Sequence, residues 1–223
     1  MAGDTPRPPP EGAALGSFHC SKLVLAFFYI EDLEGVMTLR EALDRVPDPR
    51  KAQGKRHPLG AILALAVGAM LCGARSLYAI SQWGRDHGAA AAEELGFSRK
   101  QTPSVATVHR VFRDLDREAF EGVLAEWMES QGIEVKGLSI DGKRLRGIHG
   151  DAVPGVHLVA AFAHDQGVVL GQQGIRLDEN ELAALTGLFD LVSLQGRVVT
   201  GDVQFTQRDV CEQIVKKGGT TCS

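Results

Sequence analysis

The chain has 223 residues, 44% of them apolar and 23% charged, so it can bury a core and form one or two domains. Its formal net charge of −4 excludes a strong overall attraction to nucleic acid, so such a partner would need a local basic patch. The four cysteines show neither a CxxC pair nor metal-ligand spacing, which predicts a reducing, cytoplasmic setting. The apolar run from Leu23 to Ile30 is too short to span a bilayer, so no membrane association is expected.

The first half of the sequence has helical periodicity. Residues 1–37 come before it and are predicted to be a disordered tail or an extension, because they open rich in proline and glycine. The apolar spacing over 38–131 predicts an α-helical domain. Within it, Leu59–Cys72 is apolar all round, which is typical of a helix at the centre of a bundle. Ser76 is predicted to cap the next helix, and Thr102-Pro103 to begin a later one.

Positive charge is concentrated in two short stretches. The first cluster is Arg50, Lys51, Lys55, Arg56 and His57, and the second is Lys143, Arg144, Arg146 and His149. Basic clusters on a mildly acidic chain indicate phosphate binding, although a solvated loop is an equally good interpretation of the first cluster. Arg110 lies on the polar side of a predicted helix, where a DNA-reading helix and an ordinary exposed surface are equally consistent with the pattern.

After Gly132 the periodicity changes from helix to strand. The predicted elements are strands Val135–Ile140, His157–Ala163 and Val168–Ile175, helix Glu181–Leu194, strand Arg197–Thr200 and helix Thr206–Lys217. Asp165-Gln166-Gly167 supplies the turn between the second and third strands. This order predicts a mixed sheet of ribonuclease-H type, in which a right-handed crossover makes the fourth strand parallel to the first.

Two aspartates follow apolar strands in this predicted sheet. Asp141 follows the first strand and Asp202 the fourth, so the crossover can bring the two carboxylates together. Paired carboxylates can hold divalent metal ions for phosphodiester chemistry, which usually needs a third acid, yet no Asp or Glu follows Glu212. An aspartate at a strand end is more often a turn residue than a metal ligand. In the same way, His157 more often packs against neighbouring residues, and Glu181 more often begins a helix, than binds a metal.

Several short motifs occur together in one order. They are Val46–Arg50 with Gly54–Leu59, Ala74–Ser76 with Ile80, Trp83 and Gly84, Pro103–Arg110, Ile140–Lys143 with Leu145–Gly147, His157–Phe162, Val168–Gln172, Asn180-Glu181, and Gly196–Asp202 with Gln207. In that order they resemble the H-repeat-associated (ISAs-type) insertion-sequence transposases, over roughly residues 38–219.

The resemblance implies a DDE-type transposase with a helical transposase-associated domain over 38–131 and a ribonuclease-H-like catalytic domain over 133–219. Such enzymes hold two Mg²⁺ (or Mn²⁺) ions on two aspartates and a later acid, and they cut and transfer DNA strands. By resemblance, Asp141 and Asp202 are the first two catalytic and metal-binding carboxylates. Lys143, Arg144 and Arg146 would then hold DNA phosphate near the metal.

The family continues beyond Gly218-Gly219 with another strand and a helix that bears the third carboxylate. Thr220–Ser223 does not resemble that apolar strand, so the chain is expected to be a truncated, catalytically incomplete copy with an incomplete catalytic domain. Two alternatives stay open: a DNA-binding module without catalysis, and an inert remnant of a mobile element. The expected partners are DNA and either a second copy of the chain or a full-length transposase.

Overall fold

The computed structural model describes residues 36–144, 157–175, 181–202, 205 and 207–221. In these ranges the chain forms eight α-helices and one mixed sheet of five strands. Helices fill the first half and strands enter after Gly132, which confirms the predicted combination of a helical part and a mixed α/β part. The described residues divide into two units, one of 38–115 and one of 36–37 with 116–221.

The first unit is helical throughout. Its helices are α1 (Leu39–Arg45), α2 (Leu59–Leu71), α3 (Leu77–Asp86), α4 (Gly88–Glu94) and α5 (Val105–Asp114). Helix α1 begins in a capping box, because the Thr38 hydroxyl accepts from the Glu41 amide and the Glu41 carboxylate accepts from the Thr38 amide. Helix α2 is almost wholly buried, as its apolar sequence predicts. The predicted cap of α3 is confirmed, since Ser76 Oγ accepts from the Ala79 amide at 3.1 Å.

The start of α5 differs from its prediction. The helix begins at Val105 with Ser104 as its N-cap, two residues later than the Thr102-Pro103 pair suggested. Buried Ser81 on α3 donates to the Pro103 carbonyl at 2.9 Å, and Thr102 packs closely against Gly84. Thr102 and Pro103 therefore fasten the segment before α5 to α3, and this packing outweighs their local preference for a helix start.

The second unit contains the sheet. Its strands are β1 (Gly137–Arg144), β2 (His157–Ala163), β3 (Val168–Ile175), β4 (Val198–Gly201) and β5 (Thr220–Thr221), and its helices are α6 (Arg117–Ser130), α7 (Glu181–Leu191) and α8 (Arg208–Lys216). The strand order is β3-β2-β1-β4-β5, antiparallel across β3-β2-β1 and parallel from β1 to β4 and β5. The predicted three-strand meander and the parallel return of the fourth strand are confirmed.

Two strands differ from their predictions. Strand β1 was expected to end at Ile140, but it continues to Arg144 because β2 is long enough to pair with the added residues. Thr220 and Thr221 do not resemble the apolar strand that follows in the family, yet they form a short strand and pair with Val198 and Val199 of β4. Threonine is β-branched and suits a strand, and an exposed edge needs no apolar run.

Helix α6 belongs to the second unit, whereas the sequence placed it at the end of the helical domain. Its Glu121 accepts a hydrogen bond from Gln172 of β3 at 2.7 Å, and burial raises the pKa of that carboxyl. Further along the helix, Ala125 is 2% exposed and faces Gly171 of β3. The division between the units thus falls before α6, because this helix packs on the sheet.

One face of the sheet supplies the core of the second unit. Ile140, Val159 and Val199 are buried there with apolar residues of α7 and α8, including Leu185, Leu188, Phe189, Val210 and Ile214. No helix in the described ranges combines the length and apolar character needed to cross a bilayer. The core fixes the register of β1 against β4, and this register positions the two aspartates.

Candidate functional site

The pairing of β1 with β4 ends one residue before Asp141 and Asp202. The two strands pair in parallel from Gly137 with Val198 to Ile140 with Gly201, and an aspartate comes next in each segment: Asp141 inside β1 and Asp202 directly after β4. Neighbouring strands lie about 4.8 Å apart, and residues at matching positions point to the same face. Both aspartates are exposed, so neither carboxylate is enclosed by the core.

Local contacts hold both strand ends in place. The Thr200 hydroxyl donates to the Leu138 carbonyl at 3.2 Å, which ties β4 to β1 just before the aspartates. The amide of Phe205 donates to the Asp202 carbonyl at 2.8 Å. Phe205 is 4% exposed and packs in the core, so this hydrogen bond connects Asp202 to a buried residue.

Gly201 leaves no room for a side chain beside that ring. A Cβ at this position would lie 3.0 Å from Cβ of Phe205, which is tighter than ordinary contact. Gly201→Ala is therefore expected to displace Phe205 and cost about 1–3 kcal/mol of unfolding free energy, as overpacking does. Urea unfolding measures this, with Gly137→Ala as the control because nothing lies within 4 Å of a Cβ there. Equal stability of both variants would contradict the tight packing at Gly201.

The donor chemistry of the pair suits a hard divalent cation. Mg²⁺ prefers carboxylate oxygens and is commonly held by one or two carboxylates together with water and substrate phosphates. Within the described residues no three His, Cys, Asp or Glu side chains converge on one point. Glu212, the last acid of the sequence, lies on α8 and pairs with Arg208 at 3.0 Å. The two aspartates therefore fit one cation better than two.

The second basic cluster begins beside the aspartates. Lys143 is exposed and lies two residues after Asp141 on β1, so both side chains leave the same face of the sheet. Arg144 is the last residue of β1 and pairs with half-buried His157, but its side chain lies outside the described part. Arg146 and His149 lie wholly outside the described residues, as does the side chain of Glu181. Lys143 is thus the one member of this cluster whose side chain can be placed on the same face of β1 as Asp141.

The first basic cluster lies in a loop that one of its own arginines organises. Arg50 donates to both carboxylate oxygens of Asp48, at 2.8 and 2.9 Å, and to the His57 carbonyl at 2.8 Å. Its side chain is only 10% exposed. These hydrogen bonds hold the pKa of Asp48 below its usual range. Arg50 has a structural part in the loop, and its contact with DNA stays a prediction.

Replacing Arg50 should cost stability, whereas replacing its neighbour should not. Arg50→Gln leaves a largely buried carboxylate with only the more distant Lys55 as a charged partner, and we expect a loss of about 2 kcal/mol in unfolding free energy. Lys51→Gln is the matched control, because Lys51 is exposed and surface changes usually stay within about 0.5 kcal/mol. Urea unfolding followed by circular dichroism measures both. Similar urea midpoints for the two variants would show that the hydrogen bonds between Arg50 and Asp48 do not stabilise the loop.

The remaining lysines and arginine of this cluster, together with Arg110, are placed at the surface. Lys51 and Arg56 are exposed, while Lys55 lies 3.7 Å from Asp48 and is 45% exposed. Arg110 is exposed on α5, within 3.5 Å of the Thr107 hydroxyl. These positions are open to a phosphate backbone, and none of them identifies α5 as a helix that reads base sequence.

A charge asymmetry between the units was missed in the sequence. Residues 38–115 contain twelve lysines and arginines against seven aspartates and glutamates, a formal charge of +5 in a chain whose total is −4. Counting charge separately for each predicted domain would have shown it, and such asymmetry is typical of nucleic-acid-binding proteins. The basic first unit is therefore the better candidate for DNA binding.

Comparisons with known proteins agree with one another on a family. The family model described as "DDE_Tnp_1-associated" matches residues 40–128. "Putative transposase YncI" of Escherichia coli (strain K12) is 32% identical over 188 residues, covering 81% of this chain and 75% of the relative. "H repeat-associated putative transposase YbfD" of the same strain is 27% identical over 187 residues, covering 81% and 73%.

Other relatives are longer than this chain. The chain covers only 47% of "Putative transposase YncI" of Escherichia coli O157:H7, to which it is 31% identical over 186 residues, or 82% of its own length. Among solved structures, the "Cryo-EM structure of piggyBac transposase synaptic complex with hairpin DNA (SNHP)" aligns with 92% of this chain and 49% of that chain, at a TM-score of 0.36 and 14% identity.

Proposed function

The chain belongs to the H-repeat-associated transposase family, and on that basis we propose that it acts on DNA through a divalent cation, Mg²⁺ or Mn²⁺, held between Asp141 and Asp202. One observation carries the proposal: β1 and β4 pair in parallel up to Ile140 with Gly201, and the next residue along the chain is Asp141 in one case and Asp202 in the other. This register supports a short distance between the two carboxylates. The strand order β3-β2-β1-β4-β5 supports our interpretation of the sheet as ribonuclease-H-like.

The chain's own residues have distinct tasks in this proposal. Asp141 and Asp202 hold the cation, which when bound supplies Lewis-acid activation of a phosphodiester oxygen. Lys143, on the same face as Asp141, pairs with a neighbouring phosphate and keeps the strand in position. The first unit supplies most of the affinity for the backbone through its formal charge of +5.

Cleavage by this chain should be weak. In-line displacement on a two-metal site requires ligands for both ions, and Asp141 and Asp202 leave a second ion mostly to water. In purified protein incubated with supercoiled plasmid and Mg²⁺ or Mn²⁺, we therefore expect slow nicking at best, lost in Asp141→Ala and in Asp202→Ala alike. Nicking that persists in both variants would contradict the assignment of the site. Robust nicking that both substitutions abolish would show that two carboxylates suffice or that another chain supplies the third.

A DNA-binding module without catalysis is the second candidate function. The charge of the first unit favours it, because that charge lies in a unit that contains neither aspartate. A salt-dependent DNA titration separates both candidates from an inert remnant, since a remnant need not bind DNA at any salt concentration. Binding with no metal-dependent nicking would favour the module.

A further inference from the structure

A buried ring contact joins two loops of the first unit. The His57 and Phe97 rings meet edge to face, with centroids 5.5 Å apart and planes at 79°. Their residues are 8% and 1% exposed. The basic loop that contains His57 is therefore packed against a second loop, which follows α4.

The same contact places an arginine of each loop at the surface. Arg56 directly precedes His57 and is exposed. In the second loop the Lys100 amide donates to the Phe97 carbonyl at 3.0 Å, forming a turn in which Phe97 points inward and Arg99 is exposed. Arg56 and Arg99, 43 positions apart in the sequence, thus flank one buried ring pair.

Acidic neighbours of the two loops are already engaged in ion pairs. Asp44 pairs with Arg40 at 2.9 Å, Asp48 with Arg50 at 2.8 Å, and Glu93 with Lys100 at 2.9 Å. In the described part of the chain, Arg56, Arg99 and Lys51 take part in no ion pair. The exposed positive charge of these three residues is therefore available to a ligand.

The electrostatics of His57 agree with this placement. Burial lowers the pKa of its ring, and repulsion from Arg56, Arg50 and Arg99 lowers that pKa further. Arginines from both loops act on one imidazole, as expected if Arg56 and Arg99 border the same surface.

We propose that Arg56 and Arg99 form one binding surface for the phosphate backbone of duplex DNA, built from two loops that the His57–Phe97 contact holds together. The surface rests on the proposed function in that it takes DNA as the ligand, and it adds Arg99, which no sequence motif suggested. Guanidinium groups suit this ligand because they donate in a planar fork that matches phosphate oxygens.

Arg75 provides a matched control for Arg56 and Arg99. It is also exposed and takes part in no ion pair among the described residues. It follows the C-terminal end of α2, whereas His57 precedes the N-terminal end of that 13-residue helix. At 1.5 Å per residue, about 20 Å separates the two ends.

The experiment measures fluorescence anisotropy of a labelled 20-base-pair duplex with the full chain over a range of salt concentrations. Arg56→Gln and Arg99→Gln should each lower the salt slope by about 0.9 and weaken binding roughly eightfold at 0.1 M salt, because each removes one phosphate contact. Arg75→Gln should match the wild type. Circular dichroism and thermal melting check that each variant is folded. We expect all three to fold, because replacing an exposed side chain usually changes stability little.

Three results would overturn the surface. If Arg99→Gln bound DNA as Arg75→Gln does while Arg56→Gln bound it more weakly, Arg99 would not belong to the surface. The proposed function would still stand. Equal losses of DNA affinity in Arg56→Gln, Arg99→Gln and Arg75→Gln would indicate that DNA binding depends on the net charge of the chain alone. A wild-type chain that binds anionic phospholipid vesicles but no duplex at any salt concentration would contradict the surface together with DNA as the partner.

Discussion

Asp141→Ala and Asp202→Ala are each expected to abolish most of the stabilisation that Mn²⁺ gives the folded protein. A ligand that binds only the native state stabilises it by about 2.7 kcal/mol at a concentration of 100 Kd. If loss of one carboxylate weakens binding 100-fold, about 0.4 kcal/mol remains at that same Mn²⁺ concentration. Thermal melting with and without Mn²⁺ measures the effect.

A third variant controls for general electrostatics. Asp165 is an exposed aspartate in the turn between β2 and β3 of the same sheet, so Asp165→Ala removes the same charge away from the pair. Its stabilisation by Mn²⁺ should equal that of the wild type. Asp141 and Asp202 do not form a cation site if Asp165→Ala loses as much of the Mn²⁺ stabilisation as the other two variants. The same conclusion follows if Asp141→Ala or Asp202→Ala keeps the full Mn²⁺ stabilisation.

Neutralising Lys51, Lys55 and Arg56 together should weaken DNA binding strongly. If each side chain contacts a phosphate, the salt slope falls by about 2.7 and affinity at 0.1 M salt falls by several hundredfold. Arg50 is left unchanged because it holds Asp48 and the His57 carbonyl, so the loop should keep its fold. Anisotropy of a labelled duplex over a range of salt concentrations gives both quantities.

The matched triple variant neutralises Arg75, Lys136 and Lys216, three exposed cations outside the loop. It removes the same net charge and should leave the salt slope near the wild-type value. Equal slopes for the two triple variants would show that the loop makes no phosphate contacts of its own.

Much of the second unit could be predicted because alternation and turn residues act locally. The apolar runs of β2 and β3 and the turn at Asp165–Gly167 specify a hairpin without help from the rest of the chain. Strand β5 could not be predicted in this way, since two threonines carry no periodicity and pair only because β4 offers an open edge. The same limit applies to α6, whose amphipathic sequence does not say which unit it covers.

The candidate site follows a similar division. The parallel pairing of β1 with β4, which ends just before Asp141 and Asp202, follows from strand direction and crossover handedness, both of which the sequence implies. The different roles of Arg50 and Arg56 could not be predicted from the sequence. The two arginines lie in one loop, and only the fold buries Arg50 against Asp48. Arg99 lies outside both basic clusters of the sequence, and only the packing of Phe97 on His57 associates it with Arg56.

Fe²⁺-directed cleavage of the protein backbone tests the shared cation site most directly. Fe²⁺ replaces Mn²⁺ or Mg²⁺ at oxygen sites, and with ascorbate and peroxide it cuts the chain next to the bound ion. We predict that one bound ion cuts near both Asp141 and Asp202, and that both cuts disappear in Asp141→Asn. Cutting at only one of the two segments, or two cuts that survive this substitution, would contradict a cation shared by the two carboxylates.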